Sequence, residues 1–328
     1  MERQLSRRSF IAGIAGTSVL TGNGPAFADT WPSRATNIVV PFPAGASTDV
    51  VARLLADRLR GELGQGFIVE NKTGAGGNIA ATSVVRAAPD GYTLMFSSSG
   101  PLATNKLLYK TLNFDPLADF TPIALLGDVQ GIVTVHPSVP AKSFAELVAY
   151  GKANPGKLTF GSPGFGLMGH MIGELIQRKA GFQMTHVPYR GSAPLATDLL
   201  AGTVNVAVDF IPAYIPHVKS GAIRGLAVTS DQRAPQLPEV PTLSEAGLPD
   251  VNTAGWFGLV GPKGLPEPVV ARLAAITRAY VESAEGRDKL AVIGVRARSG
   301  DAAAMRTAQA MEIARWADVI RAAGITLD

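Results

Sequence analysis

Few side chains in this sequence have the types and spacing that catalysis requires. The chain contains four histidines, none of them paired at the spacing of metal ligands: His136, His170, His186 and His217. No G-x-S-x-G nucleophile motif occurs. The one polar set from which a hydrolase could be drawn is Ser99, His170 and Asp209, and nothing in its spacing supports one. The side chains therefore indicate a binding protein without an enzymatic, metal or cofactor site.

Four turns rich in glycine and small residues could instead hold an anion through the backbone. Each follows a predicted strand and precedes a predicted helix; the turns are Ala44 to Asp49, Gly74 to Asn78, Gly161 to Gly166 and Gly191 to Pro194. Free N–H groups and the helix dipole both favour negative charge at a helix start. In an open α/β sheet, ligands bind outside the carboxyl ends of the strands, where such turns gather. Together the turns predict a cleft for an anion or a polar ligand; four unrelated structural turns are the alternative.

Two of these turns come close to nucleotide-binding motifs and fail. Gly74 and Gly76 begin a G-x-G-x-x-G pattern, but Ile79 occupies the position of the third glycine. Gly161 and Gly166 have the outer spacing of a P-loop, but Leu167-Met168 replaces the required lysine and hydroxyl residue. Neither turn is therefore expected to bind a dinucleotide or ATP.

Two polar residues near the turns have both a structural and a functional interpretation. His170 stands four residues before Glu174 on one predicted helix, where a structural histidine is more common than a ligand contact. Asp209 ends the predicted strand Val204 to Val208. Its carboxylate either faces the proposed cleft or caps the next helix.

A strand followed by a helix is the unit that must position these turns. Ile38 to Val40 favours a strand, and apolar residues at helical spacing run from Val50 to Leu63. Alternating strands and helices continue along the chain, which predicts α/β layers with mainly parallel sheets. Two apolar runs flank Gly127-Asp128, where the chain is expected to cross between domains: Ile123 to Leu126 and Gly131 to Val135. Three residues before the first helix are of the types that cap helix starts, namely Ser47, Thr48 and Asp49.

The N-terminal segment is typical of an export signal. Arg7-Arg8 in S-R-R-S-F-I resembles a twin-arginine motif, an apolar run spans Phe10 to Leu20, and Ala26 to Ala28 offers an A-x-A cleavage site. A general secretory signal with a chance arginine pair is the alternative. Residues 1–28 are predicted to be removed after Ala28, and the mature chain is expected in the periplasm.

Composition limits the partners of the remaining chain. After removal of residues 1–28, 27 basic and 25 acidic residues remain, and no basic block occurs, so nucleic acid is not an expected partner. The sequence has no cysteine, which excludes disulfides, thiol chemistry and a lipoprotein anchor. About 300 residues leave room for two domains.

Taken together, several motifs resemble one family. They are P-F-P-A-G-A-S-T-D (Pro41 to Asp49), E-N-K-T-G-A-G-G-N-I-A (Glu70 to Ala80), A-A-P-D-G-Y-T-L (Ala87 to Leu94), N-F-D-P-L-A-D-F-T-P-I (Asn113 to Ile123), V-H-P-S-V-P (Val135 to Pro140), V-P-Y-R-G-S-A-P-L-A-T-D-L-L-A-G (Val187 to Gly202) and W-F-G-L-V-G-P (Trp256 to Pro262). The chain resembles the Bug-type, or TctC-type, extracytoplasmic solute-binding receptors of tripartite tricarboxylate transporters. The resemblance covers essentially the whole mature chain.

The resemblance implies a type II periplasmic-binding-protein fold, with two α/β lobes joined by a two-segment hinge. Residues 29–128 and 231–328 are expected to form lobe 1, and residues 129–230 lobe 2. In the family, turns matching Phe42 to Asp49 and Ser162 to Gly166 hold ligand carboxylates, assisted at the first turn by ordered water. The turn matching Arg190 to Ala193 and the acid matching Asp209 complete the site.

The expected function is therefore periplasmic capture of a small mono- or dicarboxylate, an organic acid or amino acid, by hinge closure. Its partners would be that ligand and integral-membrane transporter subunits, with the receptor itself a monomer. A receptor that reports to a sensor protein is an alternative, and an exported α/β hydrolase is a weaker one. The candidate ligand-binding residues are Phe42, Ala44, Gly45, Ala46, Ser47, Thr48, Asp49, Gly77, Ser99, Ser162, Gly164, Gly166, His170, Arg190, Gly191, Ser192, Ala193 and Asp209.

Overall fold

The computed structural model describes residues 31–249 and 251–328. The predicted export segment, residues 1–28, lies outside the described residues. Within the described ranges, no helix has the length and apolar character needed to cross a membrane. Helices and strands alternate in the order β1 (Thr36–Val40), α1 (Ser47–Leu63), β2 (Phe67–Asn71), α2 (Asn78–Val85), β3 (Thr93–Ser98), α3 (Asn105–Leu108), β4 (Phe120–Val135), α4 (Phe144–Ala153), β5 (Thr159–Ser162), α5 (Met168–Ala180), β6 (Thr185–Pro188), α6 (Ser192–Leu200), β7 (Val206–Phe210), α7 (Ile215–Lys219), β8 (Arg224–Val228), β9 (Ala254–Pro262), α8 (Glu267–Glu282), α9 (Ala284–Val292), β10 (Val295–Gly300) and α10 (Ala302–Ala323).

The strands form a mixed sheet in the order β2-β1-β3-β9-β4-β7-β5-β6, with β8 and β10 also paired to β4. Pairing is parallel among β1, β2 and β3 and among β5, β6 and β7. It is antiparallel wherever β4 or β9 takes part. The α/β architecture agrees with the prediction, and the parallel pairing is confined to the two ends of the sheet. The antiparallel middle arises because β4 and β9 carry the chain between the two parallel groups.

Strand β4 runs through Gly127-Asp128 without interruption and is 16 residues long, so the two predicted apolar runs belong to one strand. Gly127 allows β10 to approach: a Cβ at this position would lie 2.8 Å from the carbonyl oxygen of Arg296. The buried carboxylate of Asp128 is bound by the guanidinium groups of Arg296 and Arg298, each at 3.0 Å. A glycine and an acid therefore lie inside a strand, where β10 supplies their partners.

Apolar side chains pack into separate cores on the two sides of the midpoint of β4. In the first core, Leu55 of α1 and Phe257 of β9 are fully buried. In the second, Leu147 of α4, Phe160 of β5 and Ile172 of α5 are buried. Burial of each such side chain contributes roughly 1.5–3 kcal/mol to stability. The helices are thereby fixed against the sheet, and the turns at the strand ends are fixed with them.

Two further features connect the halves of the molecule. The chain segments at residues 131, 229 and 253 are joined by backbone hydrogen bonds, from Thr229 N–H to the Gly131 carbonyl at 2.9 Å and from Thr253 N–H to the Thr229 carbonyl at 2.7 Å. Helix α10 contacts both halves, with Met305 packed beside β9 and Trp316 in the core that contains β5.

Candidate functional site

The turn between β1 and α1 is held by the carboxylate of Asp49. This carboxylate accepts hydrogen bonds from the N–H of Gly45 at 2.9 Å, from Nε of Arg53 at 3.0 Å and from the side-chain amide of Asn71 at 2.9 Å. Asn71 also donates to the carbonyl of Phe42 at 2.9 Å. Burial alone would raise the pKa of Asp49, but the hydrogen bonds from Arg53, Gly45 and Asn71 hold that pKa below its usual value.

Helix α1 begins at Ser47, three residues earlier than the predicted start at Val50. Its N-cap is Ala46, which makes no side-chain cap, and Asp49 lies inside the first turn of the helix. The prediction of Asp49 as the N-cap is therefore wrong, because its carboxylate reaches back to the preceding turn. Backbone N–H groups of a helix start have no partner within the helix. In the described part of the chain, no acceptor is hydrogen-bonded to the first three N–H groups of α1, which belong to Ser47, Thr48 and Asp49.

The turns that follow β1, β2 and β3 meet at Gly77. This glycine has φ +95°, and a Cβ there would lie 2.5 Å from Cγ of Pro101 and 3.0 Å from Cβ of Pro41. Only glycine allows the three turns to approach so closely. The side-chain amide of Asn105 fixes the second turn by donating to the carbonyl of Gly76 at 3.0 Å.

The turn after β5 is held by two histidines. The N–H of Gly166 donates to Nδ1 of His170 at 3.0 Å. The hydroxyl of Ser162 donates to the carbonyl of Gly164 at 3.0 Å and lies 2.8 Å from Nε2 of His186. The two imidazole rings stack with centroids 3.8 Å apart. Burial lowers the pKa of His170 to about 3, with a contribution from His186, and lowers the pKa of His186 to about 4. Both rings are therefore neutral near pH 7.

Helix α5 starts directly over the end of β7. A Cβ on Gly169, in its first turn, would lie 2.2 Å from the carbonyl oxygen of Val208. The N-cap, Leu167, makes no side-chain cap. As at α1, the first N–H groups of the helix have no acceptor among the described residues: those of Met168, Gly169 and His170.

Asp209 lies near the end of β7 and is only 2% exposed. Its carboxylate accepts hydrogen bonds from the N–H of Phe210 at 2.6 Å and from the hydroxyl of Tyr214 at 3.2 Å. Burial raises the pKa of Asp209 to about 6, although hydrogen bonds from Ser192, Phe210 and Tyr214 act in the opposite direction. Asp209 and the start of α6 at Ser192 therefore belong to one polar group.

The fourth turn contacts the turn after β5. The N–H of Gly191 donates to the carbonyl of Pro163 at 2.9 Å, and the N–H of Tyr189 donates to the carbonyl of Ser162 at 2.9 Å. Arg190 and Ala193 are exposed beside this contact. Two pairs of turns thus form, one on each side of β4.

Helix α3 connects the two pairs of turns. Asn105, its first residue, binds the turn at Gly76, and Leu108, its last residue, lies close to the turn at Gly166. A Cβ on Gly166 would lie 3.4 Å from Leu108 and 2.8 Å from Leu327. The turn at Gly76 and the turn at Gly166 therefore lie at the two ends of this short helix.

The residues of the weaker hydrolase hypothesis are not brought together in this way. No hydrogen bond joins Ser99, His170 and Asp209 within the residues that the structure describes. Ser99 is buried at the end of β3, where its hydroxyl faces Glu312 of α10. Nδ1 of His170 accepts the N–H of Gly166, so the one lone pair with which the neutral imidazole could take a proton is already engaged.

Four residues that support the site were missed from the sequence: Arg53, Asn71, His186 and Tyr214. Arg53 could have been found, because it stands four residues after Asp49 on one helix face. The other three come from different elements and meet their partners only through the tertiary fold. A cavity of about 940 Å³ also exists, but it lies at the C-terminal end of α5, away from the turns, beside Lys152, Glu174, Arg178, Phe182 and Met184.

Comparison with known families gives one match to most of the chain. The family described as "Tripartite tricarboxylate transporter family receptor" matches residues 51–325. A similar curated protein is BugT of Bordetella pertussis, which is 37% identical over 310 residues that cover 92% of this chain and 93% of BugT.

Solved structures show the same architecture. A protein of R. palustris, solved with adipate, is 40% identical, with a TM-score of 0.86 over 90% of this chain and 99% of that protein. The periplasmic binding protein BugD is 34% identical, with a TM-score of 0.82 over 90% of this chain and 99% of BugD. MatC from Rhodopseudomonas palustris, solved with bound malate, is 33% identical, with a TM-score of 0.81 over 88% of this chain and all of MatC (100%).

Proposed function

This chain belongs to the tripartite tricarboxylate transporter receptor family, and on that premise we propose that it captures a small mono- or dicarboxylate between two lobes. The family is one of receptors for transport. Two related structures hold dicarboxylates, adipate in one and malate in the other. The ligand class proposed for this chain follows from those relatives and from the chemistry of its own turns.

One observation carries the proposal: each half of the molecule has a helix start whose first N–H groups have no acceptor among the described residues, and we place both helix starts at one cleft. The groups belong to Ser47 and Thr48 at α1, and to Met168 and Gly169 at α5. Each helix start favours a nearby negative charge by roughly 0.3–1 kcal/mol, and by up to ~2 kcal/mol when partly buried. With direct amide hydrogen bonds added, micromolar binding, about −8 kcal/mol, is within reach.

We assign the remaining candidate residues to this cleft by position. Phe42, Ala44, Gly77 and Ser99 would line the lobe 1 side, and Ser162, Gly164, Arg190 and Ala193 the lobe 2 side. Lobe 1 would comprise residues 29–128 and 231–328, and lobe 2 residues 129–230. The contacts at residues 131, 229 and 253 support a hinge at this boundary.

Asp209 is proposed to recognise a hydroxyl or amino group of the ligand. Its carboxylate stands beside the start of α6 and near the start of α5. When ionised it can accept a hydrogen bond that a plain alkyl chain does not offer.

The biological setting that we propose follows the N-terminal motif and the family. Residues 1–28 would direct export by the twin-arginine route and be removed after Ala28, leaving a monomeric receptor in the periplasm. It would deliver its ligand to integral-membrane transporter subunits and would not itself catalyse a reaction.

Titration calorimetry with adipate and with adipamide tests the proposal. The two probes have the same carbon chain, but only adipate carries charge. We expect adipate, or another member of a panel of small mono- and dicarboxylates, to bind with micromolar affinity and to raise the Tm by mass action. Adipamide should not bind. Equal binding of the acid and its amide, or no binding across the panel, would contradict carboxylate capture.

A further inference from the structure

Two glycines stand at the same position in the two lobes. Gly45, with φ +83°, and Gly166, with φ +73°, each lie two residues before the first residue of a helix. In each case the glycine N–H donates to a side chain four residues later, to Asp49 at 2.9 Å and to His170 at 3.0 Å. Each acceptor is the third residue of its helix. The two arrangements coincide although one acceptor is a carboxylate and the other an imidazole.

We infer that His170 is a positioning residue that does for α5 what Asp49 does for α1. It binds the N–H of Gly166, fixes the turn, and leaves the next amides of the helix directed at the ligand carboxylate. This inference rests on the proposed function and deepens it. Asp49 and His170, first expected to contact the ligand, support the groups that do.

The hydrogen-bond pattern defines the tautomer of both imidazoles. Nδ1 of His170 accepts from Gly166, so its proton is on Nε2, which lies 3.8 Å from a carboxylate oxygen of Glu174. The hydroxyl proton of Ser162 is given to the carbonyl of Gly164, which can only accept. His186 therefore donates from its Nε2 to Ser162. One histidine binds each end of the turn, and their stacking couples the two ends.

The acceptors Asp49 and His170 differ in charge, and so do the groups that surround them. The carboxylate of Asp49 has a guanidinium partner, Arg53, at 2.9 Å. Among the described residues, the titratable groups beside His170 are His186 on β6 and Glu174 on α5, and neither is a cation near pH 7. A carboxylate at position 170 would place an unpaired negative charge under the amides that receive the ligand anion. A neutral imidazole supplies an acceptor without that charge.

Three substitutions of His170 distinguish the effect of its hydrogen-bond acceptor from the effects of added charge and of the stacked ring. His170→Asn keeps an uncharged acceptor at about the same distance from the backbone, His170→Phe keeps the stacked ring without an acceptor, and His170→Asp keeps an acceptor but adds charge. His217→Asn, in α7, is the matched control. For the carboxylate that binds the unaltered protein best, beginning with adipate, we expect affinities within about threefold of it for His170→Asn and roughly tenfold or greater losses for His170→Phe and His170→Asp.

A second measurement needs no ligand. Long-range ¹H–¹⁵N spectra of histidine-labelled protein at pH 7 should show neutral rings protonated on Nε2 for both His170 and His186. Hydrogen exchange should show the Gly166 amide protected in the unaltered protein and in His170→Asn, and exposed in His170→Phe. This measurement on the unaltered protein stays decisive if a substitution prevents folding.

The outcomes separate the two proposals. An Nδ1-protonated or charged His170, an unprotected Gly166 amide, or full affinity in His170→Phe would overturn the positioning role and leave carboxylate capture standing. The expected spectra in a protein that binds no carboxylate would overturn the proposed function and leave only the role of His170 in fixing the turn at Gly166.

Discussion

At the scale of single residues, the titration of Asp209 should make the stability of the folded protein depend on pH. It is almost fully buried, and burial raises its pKa to about 6 from an ordinary value of 3.8. The folded protein therefore holds this proton more tightly than the unfolded chain does. The stabilisation from the bound proton is complete below about pH 4 and is lost as the pH rises through about 6.

The substitution Asp209→Asn removes this titration. From pH 4 to pH 7 we expect the free energy of unfolding of the unaltered protein to fall relative to that of Asp209→Asn, by at most about 3 kcal/mol. Urea unfolding at several pH values measures the difference. A difference that stays constant over this range would show that Asp209 is not buried as an isolated acid.

The sequence predicted the turns of the candidate site but not what their side chains do. Glycines and small residues at strand ends were sufficient to predict the turns, because such turns have local backbone signatures. The acceptor roles of Asp49 and His170 were not predicted, since both depend on turn conformations with positive φ at Gly45 and Gly166. The pairing of His170 with His186 joins α5 to β6, and no local pattern reports it.

At the scale of elements, the helix starts of α1 and α5 can be tested one amide at a time. Proline is tolerated at the first position of a helix, where it removes an N–H that has no helical partner. The preceding residues, Ala46 and Leu167, already have the extended conformation that a following proline requires.

We therefore expect Ser47→Pro and Met168→Pro to fold but to bind carboxylates more weakly. Loss of one amide donor to an anion should cost about 1.5–3 kcal/mol, or roughly 10- to 100-fold in Kd. Ser47→Ala and Met168→Ala are the matched controls, because they keep the amide. If each proline variant binds as its alanine control does, these amides do not contact the ligand.

Strand β4 is the element that the sequence described least well. A local pattern is sufficient at α4, where the S-x-x-E sequence from Ser143 to Glu146 is typical of a capping box and Ser143 accepts from the N–H of Glu146. In β4, the sequence showed two apolar runs on either side of Gly127-Asp128 and did not show that they form one strand, because the partners of Asp128 come from β10 through Arg296 and Arg298. Strand β10 was itself missed, because its alternating arginines do not read as a buried strand.

The substitution Gly127→Ala tests this account of β4. The added methyl would meet the Arg296 carbonyl and should lower the free energy of unfolding by about 1–3 kcal/mol. Gly61→Ala is the control, since Gly61 lies inside α1 with open space around it and alanine there should stabilise by roughly 0.5–1 kcal/mol. Thermal unfolding compares the two variants. A stable Gly127→Ala would mean that β10 does not lie against β4 as described.

At the scale of the whole molecule, two parallel groups of strands are connected by β4 and β9, and each group ends in turns that we propose to face one cleft. Alternating elements were enough to predict an α/β architecture. The antiparallel pairing of β4 and β9 in the middle of the sheet was not predictable, because it depends on where β4 passes from one core to the other. We propose that the hinge lies beside this connection, where backbone hydrogen bonds join residues 131, 229 and 253.

The central claim is that backbone amides from both lobes hold the carboxylate groups of one ligand. A crystal structure of the complex with the carboxylate that binds best tests it most directly. The account predicts carboxylate oxygens within about 3.2 Å of the N–H groups of Ser47 or Thr48 on one side and of Met168 or Gly169 on the other. A ligand bound in the cavity at the far end of α5, or held by Arg190 without these amides, would contradict it.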